Sequence, residues 1–249
     1  MDDNTYPLIS ILTPTYNRKK FIPLMIHNLT HFDYPKENIE WCVLDDGSER
    51  LFNSKMEELI KKKIHPIKLN YKFLTTKRQI GLKRNMIVKQ AKHKIVIMMD
   101  DDDIYLPSYI KHSVTQLKKT KIGFVGSKDM QLMFPQHNYN ISKFQGQSKR
   151  QIHEATMCFT KKYFNSMPGF KKGVGHAEGS SMIDYNEKNV GETDITQCMI
   201  CIVHSENTYN KESFTHKRFH FKHSYNMAPY IKILTKILKI NYSPFGIQW

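Results

Sequence analysis

Along the first hundred residues, short apolar runs alternate with longer amphipathic stretches. "LISILTP" (Leu8 to Pro14), "IEWCVLDD" (Ile39 to Asp46), "IKLNYKFL" (Ile67 to Leu74) and "KIVIMM" (Lys94 to Met99) read as strands. Between them, "FIPLMIHNLT" (Phe21 to Thr30) reads as a helix with Pro23 in its first turn. "SKMEELIKKK" (Ser54 to Lys63) and "TKRQIGLKRNMIVKQA" (Thr76 to Ala91) are the next helices. Strands alternating with helices imply right-handed crossovers and an α/β fold: a Rossmann-like single domain whose mostly parallel, twisted sheet is flanked by helices.

Beyond residue 110 the pattern is less regular. Short strands are expected at "IGFVG" (Ile122 to Gly126) and "EATMCF" (Glu154 to Phe159), and "QCMICIV" reads as a buried strand. No linker, repeat or low-complexity tract interrupts the chain. The economical division is one domain over 1–225, with its less regular half from about 111, and a basic C-terminal extension over 226–249. In that extension "YIKILTKILKI" (Tyr230 to Ile240) sets Ile233, Ile237 and Ile240 at helical spacing, with Lys232, Lys236 and Lys239 on another side. Packing on its own domain is the favoured use of such a helix, and peripheral contact with an anionic membrane is the alternative.

Composition narrows the picture in three ways. At 249 residues with 40% hydrophobic content, the chain can bury a substantial core. Neither a membrane-spanning run of about 20 apolar residues nor a secretory leader is visible, so a cytoplasmic location is expected. Four cysteines do not make a disulfide framework, and the one C-x-x-C, Cys198 and Cys201, has no second pair to complete a zinc site. The net charge of +15 favours phosphate-bearing or anionic partners without choosing among them.

Ligands of open α/β sheets bind beyond the carboxyl ends of the strands. Thr13 to Arg18, Asp45 to Ser48 and Asp100 to Asp103 all follow such ends, so three polar loops meet on one rim. The four consecutive aspartates of "IVIMMDDDDIYLP" suit a hard cation, because Mg²⁺ and Mn²⁺ take oxygen ligands from one or two carboxylates plus substrate phosphates. Asp100 and Asp102 form a D-x-D. Asp103 is expected to cap the helix starting near Pro107 or to bind a supporting group, and Asp101 to face solvent. An acidic loop at a helix start, with no ligand, is the alternative.

The set "ILTPTYNR", "VLDDGS" and "GLKRNMIVKQAKHKIVIMMDDDDIYLP" resembles, in order and spacing, the nucleotide-sugar half of GT-A fold glycosyltransferases, most of all glycosyltransferase family 2. The likeness covers about residues 8–110 well. It implies that Thr13, Pro14, Thr15 and Tyr16 embrace the nucleoside and that Asp46 bonds the base. It implies further that Arg84 and Asn85 face the diphosphate or ribose, that Asp100 binds the donor or metal, and that Asp102 is the metal ligand. "MPGFKKGVGHAEGSSM" is similar to the family's acceptor region, where an acidic pair is usual. Here Glu178 holds the first position and Gly179 the second, so Glu178 is the expected catalytic base, with Asp184 and Asp194 behind it. His204 stands where many GT-A enzymes carry a late histidine that ligates the metal or diphosphate.

The resemblance thus implies a hexosyltransferase dependent on Mn²⁺ or Mg²⁺. It would move a sugar from a nucleotide-diphosphate donor, a UDP-sugar by family frequency, to a hydroxyl acceptor with inversion. The acceptor, whether glycan, protein or lipid-linked, is open. Two other classes compete. A nucleotidyltransferase would use similar carboxylates, yet "TPTYNRKK" lacks the glycines of a phosphate loop. A non-catalytic basic module would explain the charge, but no nucleic-acid motif is present, and specific nucleic-acid binding is not expected.

Overall fold

The computed structural model describes residues 6–174, 177–183, 187–207 and 223–239. Its centre is a seven-stranded sheet in the order β10-β6-β9-β4-β1-β2-β3. Four neighbours come from the first half: β1 (Ile9–Thr15), β2 (Ile39–Asp45), β3 (Lys68–Phe73) and β4 (Ile95–Met98). They are mutually parallel, with Ile9 beside both Ile39 and Ile95 and Thr15 beside Asp45. The second half adds β6 (Phe124–Gly126), β9 (Cys158–Thr160) and β10 (Gly191–Glu192), and β9 runs antiparallel to both β4 and β6. The architecture is the expected α/β type.

Period-two alternation explains why the central strands are buried throughout. Ile9, Ile11, Trp41, Val43 and Ile97 point into one core, and Leu12, Cys42, Leu44, Val96 and Met98 into the other. The first core is covered by α1 (Ile22–His31), α2 (Ser54–Ile64) and α4 (Tyr109–Lys119), the second by α3 (Ile80–Gln90) and α5 (Lys161–Ser166). Helix starts follow local chemistry. Asn53 caps α2 by accepting the Met56 N–H at 2.9 Å, and Thr160 caps α5 through the Tyr163 N–H at 3.1 Å.

A second sheet, ordered β5-β11-β7-β8, lies beyond the aspartates. It comprises β5 (Ile104–Tyr105), β7 (Met130–Phe134), β8 (Asn140–Phe144) and β11 (Met199–Ile202). Cys198 and Cys201 are both buried here, Cys201 within β11 and Cys198 just before it. The C-terminal helix α6 (Ala228–Leu238) docks on α1. Tyr230 lies edge-on to His27 and donates to the Tyr105 carbonyl at 3.3 Å, while Leu234 is fully buried and Lys232 and Lys236 stay exposed. Ile240 and residues 240–249 of the expected extension lie outside the described residues. No helix among the described residues is long and apolar enough to cross a membrane.

Two sequence expectations require correction. Residues 76–79 are not helical: α3 starts at Ile80, because Asp46 Oδ2 accepts the Arg78 N–H at 2.6 Å and holds that stretch outside the helix. Glu154–Thr156 forms a 3-10 turn, and the strand starts only at Cys158. The N–H groups of Thr156 and Met157 return to the carbonyls of His153 and Glu154, at 3.0 and 3.2 Å, leaving no ladder partner.

One close approach fixes Lys171 and Glu178 on α3. A β-carbon at Gly81 would fall 1.8 Å from the Lys171 carbonyl oxygen and 3.3 Å from Glu178 Cβ. Alanine normally gains about 1 kcal/mol over glycine inside a helix. Backbone cannot yield that space cheaply, so Gly81→Ala should instead destabilise by about 1–3 kcal/mol in chemical denaturation.

Candidate active site

The carboxyl ends of β1, β2 and β4 open onto a cleft of about 810 Å³. Its near wall comes from β1 and the loop after it. Asn17, in the left-handed region at φ 55°, turns that loop and accepts the Ser48 N–H at 2.8 Å. The loop after β2 is tied at the same point, since a β-carbon at Gly47 would lie 2.8 Å from Asn17 Oδ1. Pro14, Thr15 and Tyr16 border the cleft, and Lys77 Nζ stands 4.0 Å from the centre of the Tyr16 ring. An aromatic face beside Lys77 and Arg78 suits a base with phosphates attached. Thr13 does not face the cleft: it is fully buried, and its Oγ1 accepts the Trp41 indole N–H at 2.9 Å.

Asp46 does not line the cleft: it is 2% exposed and lies behind Lys83 and Arg78, which do. One oxygen pairs with Lys83 and the other accepts the Arg78 N–H. Lys83 also donates to the Thr15 carbonyl at 2.9 Å, so it fastens the loop after β1 to α3. Burial lowers the proton affinity of Lys83, and the Asp46 carboxylate opposes that shift. The neighbouring Asp45 is structural, accepting from Gly47 N–H, Leu51 N–H and the Tyr71 hydroxyl.

The aspartate run divides its duties differently from the sequence expectation. Asp100 is the most exposed of the four, with 27% of its side chain accessible, and pairs with Arg84 Nη2 at 3.1 Å. Asp101, expected to face solvent, is buried at 7% with its Oδ1 3.6 Å from Arg18 Nε. Burial first, and then the Asp102 charge, push the Asp101 carboxyl well above the usual carboxylate range, with Arg18 opposing. Asp103 caps no helix. Its Oδ1 accepts the Ile202 N–H at 2.8 Å and its Oδ2 the Cys201 thiol at 3.3 Å, which clips the aspartate loop to β11.

Asp102 Oδ2 sits 3.2 Å from His204 Nε2 and 3.3 Å from Arg18 Nη2. His204 is buried, and its Nδ1 accepts the Glu206 N–H at 3.2 Å, which aims Nε2 at the carboxylate. Adjacent ligands of an octahedral cation with bonds near 2.1 Å are about 3 Å apart, so this oxygen and nitrogen have the spacing to share one ion once the ring proton sits on Nδ1 and the Glu206 N–H contact is given up. Among the described residues, no group of three or more His, Cys, Asp or Glu gathers as a metal cage. Two protein ligands completed by phosphate oxygens and water are what Mg²⁺ or Mn²⁺ commonly accept. The donor set therefore fits a divalent ion held jointly with a diphosphate.

The far wall is built on Arg84, whose side chain is 5% exposed. Its Nε donates to Glu178 Oε1 at 2.9 Å while Nη2 reaches Asp100, so one guanidinium bridges the two halves of the cleft. Asn85, the next residue, is a clip and not a cleft residue. Its amide exchanges two 2.8 Å hydrogen bonds with the Phe170 backbone, and Gly169 at φ 81° lets that loop come close. Of the alternatives to Glu178, Asp194 caps a 3-10 turn through the Thr196 N–H at 2.9 Å, and Asp184 lies outside the described residues. Sequence reasoning missed Arg18, Lys83 and Glu154 at this cleft. The first two sit inside quoted motifs, "TYNR" and "GLKRN", but their partners come from distant loops.

Residues 10–174 match the profile of Glycosyl transferase family 2. The chain belongs to that family. Among family relatives, an uncharacterized glycosyltransferase of Haemophilus influenzae is 31% identical over 115 residues, covering 45% of this chain and 33% of the relative. The Staphylococcus aureus poly(ribitol-phosphate) beta-N-acetylglucosaminyltransferase TarS is 32% identical over 95 residues, 38% of this chain and 16% of TarS. The chain thus spans a third or less of the length of those relatives. The fold is that of GT-A glycosyltransferase structures. A Pyrobaculum calidifontis mannosyltransferase in complex with GDP-Man and Mn²⁺ superposes with a TM-score of 0.60 at 17% identity, covering 82% of this chain and 59% of that one. Residues 1–349 of S. aureus TarS with UDP-GlcNAc give 0.58 at 16%, covering 80% and 60%.

Arg84 is the counter-charge for Asp100 and Glu178, and removing one member of a buried pair costs about 3–5 kcal/mol. Arg84→Met should destabilise the family 2 fold by that order in urea unfolding.

Proposed function

We propose that the chain transfers a sugar from a nucleotide-diphosphate donor, with UDP-sugars favoured, to a hydroxyl acceptor by a single inverting displacement. The observation that carries this reading is the Asp102–His204 pair facing the Arg84–Asp100 pair at the strand ends of one cleft. The names of the relatives support it, since they include complexes with UDP-GlcNAc and with GDP-Man and Mn²⁺.

In this reading the base and ribose rest among Pro14, Thr15 and Tyr16, with Asp46 behind the cleft holding Lys83 and the Arg78 backbone in place. Asp102 and His204 would hold Mn²⁺ or Mg²⁺. When bound, such an ion supplies positive charge to the diphosphate as it leaves. Lys77, Arg78 and Arg18 contribute fixed positive charge around the same group, which lowers the barrier most where water is excluded. Asp100, held by Arg84, is oriented toward the donor sugar. The acceptor hydroxyl approaches from the side of Glu178, the expected base, and gives up its proton to that carboxylate wall. General-base assistance is worth about 10² to 10⁴-fold, roughly 3 to 5 kcal/mol. Inversion follows from attack on the face opposite the diphosphate, and anomer analysis of the product checks it. An anionic acceptor suits the net charge of +15. The exposed Lys232 and Lys236 of α6 suit an anionic membrane surface in the same way.

Thermal unfolding with UDP, GDP, CDP and dTDP, each with and without Mn²⁺, tests the donor site. A nucleotide at 100 times its dissociation constant should stabilise the fold by about 2.7 kcal/mol, a rise of several degrees. Asp102→Asn should abolish the Mn²⁺-dependent part of the shift. No shift with any of the four nucleotides would overturn the reading.

A further inference from the structure

Position 179 has no side chain, and the space in front of it is taken. A β-carbon built on Gly179 would lie 2.6 Å from Met157 Cε, 2.7 Å from Glu154 Cγ and 2.9 Å from Glu154 Oε1. No larger residue fits there while those two side chains keep their places. Glu154 Oε1 also accepts the Gly179 N–H at 2.9 Å. The Glu154 carboxyl is therefore seated on the backbone of residue 179, in the volume an acidic side chain at 179 would fill.

Glu178 is employed otherwise. Its Oε1 takes the Arg84 Nε proton at 2.9 Å, in a pair that is nearly inaccessible on both sides. That oxygen is thereby committed to holding the guanidinium. Glu154 borders the same cleft as Glu178, Arg84 and Asp100. Burial first, and then the Glu178 charge, raise its affinity for a proton, with Arg84 opposing. A general base gains efficiency as its own proton affinity moves toward the working pH.

We propose that Glu154 is the carboxylate that takes the acceptor's proton, and that Glu178 is a positioning residue holding Arg84 against Asp100. This assignment rests on the glycosyl-transfer reading above. In the step, the acceptor O–H bond breaks and its proton passes to the Glu154 carboxylate. The oxygen lone pair forms the new bond to the anomeric carbon. The bond from that carbon to the diphosphate oxygen breaks, its electron pair leaving with the diphosphate. The carboxyl has moved from the residue after Glu178 to the turn before β9, and the glycine at 179 is what makes room for it.

The test uses UDP-GlcNAc and GDP-mannose with Mn²⁺, water as acceptor, and released UDP or GDP as the readout. Glu154→Gln keeps the shape and can still accept the Gly179 N–H. It should lower kcat by about 10² to 10⁴-fold with the dissociation constant of UDP or GDP and the thermal midpoint unchanged. Glu178→Gln should raise the donor KM and cost kcat less, because Arg84 loses its anchor. Glu154→Ala clears the Glu154 side chain from the space at residue 179, leaving only the flexible end of Met157 to shift, and adding Gly179→Asp should return turnover above that of the single variant. Near-normal kcat in Glu154→Gln beside a collapse in Glu178→Gln overturns the assignment alone. A folded double variant no faster than Glu154→Ala overturns the exchange of positions. A wild-type chain that releases no nucleotide from either donor overturns glycosyl transfer first, and this assignment with it.

Discussion

The cleft depends on one buried cation. Arg84 is almost wholly removed from solvent, so the fold supplies two carboxylates at hydrogen-bonding distance, Asp100 from the loop after β4 and Glu178 from the turn packed on α3. Neither partner is near it in sequence: the carboxylates arrive from 16 and 94 residues away. A buried ion pair is weak as a source of net stability, because desolvation offsets most of the attraction. Its effect here is geometric. The guanidinium sets the distance between the wall that would hold the donor and the wall that would face the acceptor, and Gly81 lets the Lys171 backbone close over α3 on the same side.

Much of the fold was legible in the sequence, for a reason that also explains where legibility ended. Strands β1, β2 and β4 are covered on both faces, so most of their residues are apolar, and of the helices between them α2 carries a side-chain cap. The small sheet has strands of two to five residues whose partners are scattered from Ile104 to Ile202. Periodicity cannot establish itself over so short a run. The Glu154 turn was read as a strand because "EATMCF" is apolar enough, yet its N–H groups close on carbonyls three residues back.

At the cleft, the sequence anticipated which loops meet and less well where single side chains lie. Pro14, Tyr16, Asp46, Asp100, Asp102, Arg84, Glu178 and His204 do converge at one end of the sheet. Thr13 and Asn85 are in the right loops but turn their polar atoms to Trp41 and to the Phe170 backbone. Asp101 was misjudged within the aspartate run, and of the two roles open to Asp103 the structure shows the supporting one. Four identical residues carry no internal signal of which carboxylate will find a partner, and here the partners are Arg18 and the β11 backbone. Arg18, Lys83 and Glu154 escaped notice for the same reason: each owes its place to a contact made across the fold.

The Asp103 clip bears on how the site comes into being. Its carboxylate accepts the Ile202 N–H, and its own backbone carbonyl accepts from Asn28 on α1 at 2.9 Å. A slip of one residue in β11 would give that bond to a different amide and turn the residues beyond it to the opposite face, taking His204 away from Asp102. Asp103 is thus a register pin, and the histidine reaches its partner only when the strand has threaded correctly. Because His204 follows Asp102 by about a hundred residues, a nascent chain emerging from the ribosome carries all four aspartates long before it can complete the pair. The acidic loop spends that interval as an open, half-built socket.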